Sequence, residues 1–301
     1  MDKFVADLAA SGAFRLGLVA GAGGLVLGWL AATVWRRNQQ PPIGGALFAV
    51  ATLFVLRVEL DMPLGAIGGC LAMTAGVMLG TEIWDRFLGA LPGAVVVILL
   101  GDAGSRAAAV VVILAIAAGA ALAVDFDTAF RRSAIGMPLL AGSVVGLLVT
   151  VPDTERAFAL LGVAIPLVFL GWPRPVVSLG PGIAAAAGII GWVSALAGLS
   201  RPGAAIGAIA SLGLMLGEPM GRRLAGGRPT ALVRLAAAGP VRSLVVIAVH
   251  GVLVFGASRI AGLREGALPA IALSLPFLGL GALLGAAPDV VLGAQTTPAD
   301  D

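Results

Sequence analysis

Apolar runs follow one another along almost the whole chain, and the charged positions fall mainly in the gaps between them. About 20 consecutive apolar residues cross a bilayer as a helix. The pattern predicts eleven spans, at 14–35, 41–58, 63–81, 84–101, 106–124, 134–151, 157–172, 178–199, 203–220, 241–260 and 267–287. Spans two and four are short for that role, which implies tilt, a break or partial re-entry. The expected fold is an all-α polytopic integral membrane protein with about 11 transmembrane helices.

Composition sharpens this. Apolar residues make up 59% of the chain, charged residues 12%, and the mean hydropathy is +1.05. Soluble domains carry about 25% charge. Too little polar surface remains to coat a water-soluble core, so nearly every segment must face lipid or another helix. The net charge is only +3, despite a pI near 10.3. With the N-terminus outside and the C-terminus inside, the inner loops hold most of the basic residues, and the positive-inside rule favours that orientation. The excess comes mainly from 221–242. Asp2 and Asp7 interrupt the N-terminus, which argues for a retained first helix rather than a cleaved signal. Abundant Ala, Gly, Val and Arg, with Lys3 the only Lys and Asn38 the only Asn, point to a high-GC bacterial genome and hence to a cytoplasmic (inner) membrane. Cys70 stands alone, so neither an intrachain disulfide nor a cysteine metal cluster is expected. No soluble domain is present to carry a dense basic patch, so nucleic acid is not an expected partner.

The chain also contains a version of itself. Pro42 and Pro63 are as far apart as Pro181 and Pro202. Each second proline leads into an Ala-Ile-Gly, at Ala66-Ile67-Gly68 and Ala205-Ile206-Gly207. Each copy then reaches a Met-Leu-Gly, at Met78-Leu79-Gly80 and Met215-Leu216-Gly217. Upstream, Leu27-Gly28-Trp29 answers Leu170-Gly171-Trp172; downstream, Ser105-Arg106 answers Ser258-Arg259. Matched spans are six apart and point the same way, which makes this a parallel repeat. The expected organisation is a first repeat at 1–133, a linker helix at 134–156, a second repeat at 157–288 and a disordered tail at 289–301. Glycines fall on one face of span one (Gly17, Gly21, Gly24, Gly28), of span three (Gly65, Gly69, Gly76, Gly80) and of span nine (Gly203, Gly207, Gly213, Gly217). Small residues at such spacing let membrane helices approach backbone to backbone.

Polar groups inside a bilayer are costly, so each is a candidate for function. Glu82 with Arg86, and Glu218 with Arg222, end the two matched spans. A spacing of four places each acid and arginine on one helix face. Together they predict a pseudo-symmetric ring of two acids and two arginines, enlarged by Asp85 and Arg223. Arginine forks suit phosphate or carboxylate. His250, the only histidine, lies near the middle of span ten, where an imidazole relays protons or bonds a neighbouring carbonyl. Arg57, Glu59 and Asp61 end span two, but the matching stretch near 196–200 has no charge, which marks them as an outer gate or a solvated loop. Asp125, Asp127, Arg131 and Arg132 read as an inner linker loop. Trp35, Trp84 and Trp172 stand at predicted helix ends as interface anchors, and Trp192 lies deeper. The segment 221–242 carries five arginines among Leu, Ala and Val, and predicts an amphipathic helix on anionic inner-leaflet lipid.

One stretch resembles the polyprenyl-phosphate sugar-phosphate transferases: Pro42-Ile43-Gly44-Gly45-Ala46, then Trp84-Asp85-Arg86-Phe87 and Leu91-Pro92. That resemblance implies about eleven spans and an outside N-terminus. The family's acidic pair becomes Trp84-Asp85 here. Its Asn-rich motif and its histidine cluster are absent, so the resemblance implies an inactive relative. No Gly-rich loop ending in Lys-Ser/Thr exists to bind a nucleotide. No catalytic residue, cofactor or metal is expected. The functional expectation is a secondary transporter, or a lipid or small-molecule flippase-like permease, with a site between the two repeats. The alternative is a non-catalytic scaffold subunit with a partner in a cell-envelope membrane complex.

Overall fold

The computed structural model describes residues 2–35, 40–100, 106–130, 136–138, 140–141, 144, 154–196, 216–261 and 267–287. Among the described residues there are helices and no strand. They are α1 (Asp2–Ala10), α2 (Gly12–Val34), α3 (Gly44–Leu60), α4 (Leu64–Leu79), α5 (Ile83–Leu99), α6 (Arg106–Phe130), α7 (Thr154–Val168), α8 (Ile183–Leu196), α9 (Ala231–Ala237), α10 (Pro240–Ala261) and α11 (Ala267–Ala286). A further helical stretch covers 216–224. Most of span six, the first part of span nine and the tail at 289–301 lie outside the described residues.

Local chemistry sets the boundaries. Ser11 caps α2, its hydroxyl accepting from Phe14 N–H at 3.1 Å. Asp61 ends α3 in the left-handed conformation (φ 49°), and Pro63 then opens α4. Residues 80–82 break the chain between α4 and α5, and Glu82, with extended backbone, is the N-cap of α5. Asp85 reaches back to accept from the Glu82 N–H at 3.3 Å.

Among the described residues two helices are long and apolar enough to cross a membrane, Gly12–Val34 and the Pro240–Ala257 part of α10. Shorter apolar helices stand beside them: Leu64–Leu79, Ala109–Asp125, Ile183–Val193 and Leu275–Ala286.

Glycine decides which helices touch. α2 and α7 run parallel, with Gly17 against Ala159 and Gly162, Gly21 against Val163 and Pro166, Gly24 against Leu167 and Gly28 against Leu170. The other face of α2 exposes Val19, Val26, Leu30 and Val34. Its smallest residues are inside and its largest apolar ones outside, the reverse of a water-facing helix. α4 and α5 run antiparallel, Gly69 meeting Gly93 and Gly76 meeting Gly89. At the start of α3 the chain binds the loop before α8 through its backbone. Gly44 N–H donates to Ser178 O and Gly45 N–H to Leu179 O, both at 2.8 Å. α6 packs on α5 and α8. One apolar core runs through α2–α8, filled by Phe48, Leu56, Met73, Ile98, Leu160 and Trp192. A second, smaller one joins α9, α10 and α11 around Ala236, Val246, Leu253 and Phe277. α9 touches α6 and links the two.

Candidate functional site

Polar contacts gather at the two ends of the helices. At one end, Ser11 Oγ donates to Glu155 Oε2 at 2.6 Å, and the Arg156 guanidinium lies 5.7 Å from the centre of the buried Trp192 ring. The predicted gate residues are at this end. Arg57 and Asp61 pair at 3.4 Å in full view of solvent, and the Glu59 carboxylate lies beside Gly12. A pair so exposed contributes little.

The other end holds the cluster. Arg86, one turn into α5, pairs with Asp125 of α6. The same guanidinium donates to Gly80 O through Nε and to Thr81 O through Nη2, both at 3.3 Å. It thereby ties the break between α4 and α5 to α6. Arg222 directs both Nε, at 2.9 Å, and Nη2, at 2.5 Å, to Glu218 Oε1. Glu218 is 1% exposed and its Oε2 has no hydrogen-bond partner. Each of the two carboxylates, Asp125 and Glu218, is held by its own arginine.

Two residues further along α6, Asp127 is buried and accepts Leu179 N–H at 2.8 Å through Oδ1 and Gly180 N–H at 3.0 Å through Oδ2. Gly180 has φ +64°, and a Cβ there would overlap Pro42 O. The carboxylate and the glycine together fix the loop on which the start of α3 docks.

The structure corrects three expectations. Glu82 does not pair with Arg86 in one helix. Glu82 is a cap with extended backbone, so the four-residue spacing does not lie on a helical face, and Arg86 turns to Asp125 instead. Glu218 and Arg222 share the helical stretch 216–224 and do pair. Asp125 and Asp127 lie within α6, not in a loop. The 221–242 segment is not one amphipathic helix. Positive φ at Gly226 and Gly227 ends the first stretch, Thr230 caps the seven-residue α9, and Gly239 breaks before α10. The Ala231 N–H donates to Ala287 O at 3.1 Å, docking α9 on the end of α11. Arg223, Arg228, Arg234 and Arg242 remain exposed.

His250 is 1% exposed on the inward stripe of α10 formed with Ser243, Val246 and Leu253. It stands ten residues, about 15 Å of helix, from the Pro240 start of α10. Among the described residues no group of three or more His, Cys, Asp or Glu is placed to hold a metal. No family model matches the chain, and no curated protein matches it.

Proposed function

We propose that this chain is a multi-pass membrane permease of the secondary-transporter or flippase type, working at the Arg86–Asp125–Glu218–Arg222 cluster. The carrying observation is a fully buried carboxylate, Glu218, which Arg222 holds through one oxygen while the other is unpartnered, together with a second acid–arginine pair, Asp125 with Arg86, in the other part of the molecule. Burial without full pairing is expensive and is kept where it has work to do. The inside-out packing of α2 supports a lipid setting, because exposed Val and Leu are at home there. Helices such as the 16-residue α4 reach across a thin or locally thinned bilayer. The parallel α2–α7 and α3–α8 contacts join matched spans of the two proposed repeats, Gly28 meeting Leu170 one residue before its counterpart Gly171. That supports a duplicated permease with an axis along the membrane normal. The exposed arginines Arg223, Arg228, Arg234 and Arg242, beside exposed Leu224 and Val241, fit an anionic lipid surface at the cluster end. That end is the cytoplasmic side in the orientation with the N-terminus outside.

The test uses proteoliposomes carrying NBD-labelled phosphatidylglycerol and external dithionite. Wild type is expected to expose inner-leaflet label that empty vesicles protect, and Arg86→Ala to slow this roughly tenfold, the rate equivalent of one charge-assisted hydrogen bond. Bleaching no faster than in empty vesicles contradicts a flippase for anionic lipid. The dry, glycine-to-glycine contact of α4 with α5 favours a second reading, a rigid scaffold in a membrane complex, and that reading predicts protected label.

A further inference from the structure

The segment 221–242 carries five arginines, and no acidic residue occurs from 219 to 264. The acids placed elsewhere at this end of the helices are engaged: Asp125 by Arg86, Glu218 by Arg222, and Glu82 with Asp85 in the cap of α5. Part of the segment docks on the protein. Thr230, Ala231 and Ala236 are buried, and the Ala231 N–H donates to Ala287 O, so α9 lies against α11 while also touching α6. The rest is exposed: Arg223, Arg228, Arg234 and Arg242, with Leu224 (85%) and Val241 (76%) next to two of them in the chain. A headgroup layer suits both kinds of side chain, arginine at the phosphates and Leu or Val at the acyl boundary. One contact sets the depth. The Trp172 Nε1–H donates to Pro240 O at 3.4 Å, which levels the chain just past α7 with the start of α10. Arg174 and Arg242, each two residues from that bond, are both exposed. Trp35, at the end of the parallel α2, is exposed as well. Tryptophans collect at headgroup level, so these arginines stand at the depth of lipid phosphates.

We propose that the turns and short helix from Arg223 to Arg242 form a docking surface for anionic phospholipid headgroups, and that lipid held there clamps α9 onto α6 and α11. α9 links the two apolar cores, so bound lipid fastens the smaller helical body to the larger one. Gly226, Gly227 and Gly239 bound the arm with positive φ and open space around them. No side chain there has to move when the arm settles on a headgroup. The inference deepens the permease reading, on whose membrane setting it rests, by naming the lipid class this surface takes and what its binding does. It does not depend on transport.

The experiment titrates phosphatidylglycerol or phosphatidylcholine into the full chain in a neutral detergent. One arm follows thermal unfolding, since a ligand that binds only the folded state raises the melting temperature. The other follows amide hydrogen exchange across α9, where the Ala231 N–H reports the contact with Ala287. Phosphatidylglycerol should raise the melting temperature and slow this exchange, and phosphatidylcholine should do neither. High salt should weaken the response. The triple variant Arg223→Gln, Arg228→Gln, Arg242→Gln should need roughly a hundredfold more phosphatidylglycerol, about fivefold per arginine. The same three changed to Lys should keep the response, because the surface acts through charge. Arg259→Gln, at the far end of α10, should match wild type. If the triple Gln variant does not fold, each single variant must still show its fivefold loss. Equal responses to the two lipids, an unchanged response in the Gln variants, or the same effect from soluble tripolyphosphate overturns the proposal. A phosphatidylglycerol response without lipid movement in proteoliposomes leaves this surface standing while the permease reading falls. Lipid movement without that response does the reverse.

Discussion

Asp127 shows how a single buried carboxylate is put to use. Both of its oxygens are spent on backbone N–H groups of Leu179 and Gly180, so it is a structural brace rather than a ligand. Asp127→Asn replaces one acceptor with an NH2 that opposes an N–H donor. The expected cost is about 2–3 kcal/mol, the penalty for an unmatched buried donor next to a lost charged bond. Thermal unfolding in detergent checks it, and a melting temperature equal to wild type would show that the loop does not depend on this brace. Glu218 is the contrasting case, buried to the same degree yet with an oxygen left over. From sequence the two acids look alike. Only the partners that folding supplies separate a brace from a candidate site.

At the scale of elements, much of the chain was legible. Apolar runs located most helices, and the glycine faces of spans one and three do form contacts. What they contact was less legible, because Gly89 and Gly93 carry no periodic signal of their own within α5 and become visible only opposite Gly76 and Gly69. Helix ends were the weakest point. The four-residue spacing predicts a Glu82–Arg86 pair although a break intervenes, and the polar end of the apolar run predicts a loop at Asp125 although α6 continues to Phe130. The two departures have different origins: polar residues at the end of an apolar run read as loop, although a helix carries Asp125 when the Arg86 charge waits on its neighbour, and a four-residue spacing reads as helix where the chain breaks at 80–82. The glycine contacts yield a paired prediction. Gly76→Ala drives a methyl into the Gly89 carbonyl, with nothing flexible to yield, and should cost roughly 2–3 kcal/mol or more. Gly68→Ala, on the same helix with open space around it, should be neutral or stabilise by up to about 1 kcal/mol. Melting temperatures of the two variants in one detergent decide this, and equal shifts would contradict the packing of α4 on α5.

At the scale of the whole molecule, two apolar cores are linked through α9. Helices α2–α8 form one body around a continuous core, and α9–α11 form another. The Arg86–Asp125 pair belongs to the first, and Glu218–Arg222 lies beside α11, with Gly217 against Ala282. Of the two acids that the sequence pairs across the repeats, Glu218 is buried with one unpartnered oxygen, and Glu82 is an exposed N-cap. This places the proposed work at Glu218 and not at Glu82, although the sequence ranks the two acids as equivalents. The most direct measurement is lipid or solute flux by proteoliposomes bearing Glu82→Gln or Glu218→Gln, compared at equal protein content. Glu82→Gln should stay within about twofold of wild type, as a surface cap does, and Glu218→Gln should fall at least roughly tenfold. Equal losses in the two variants, or wild-type flux in Glu218→Gln, would contradict the account.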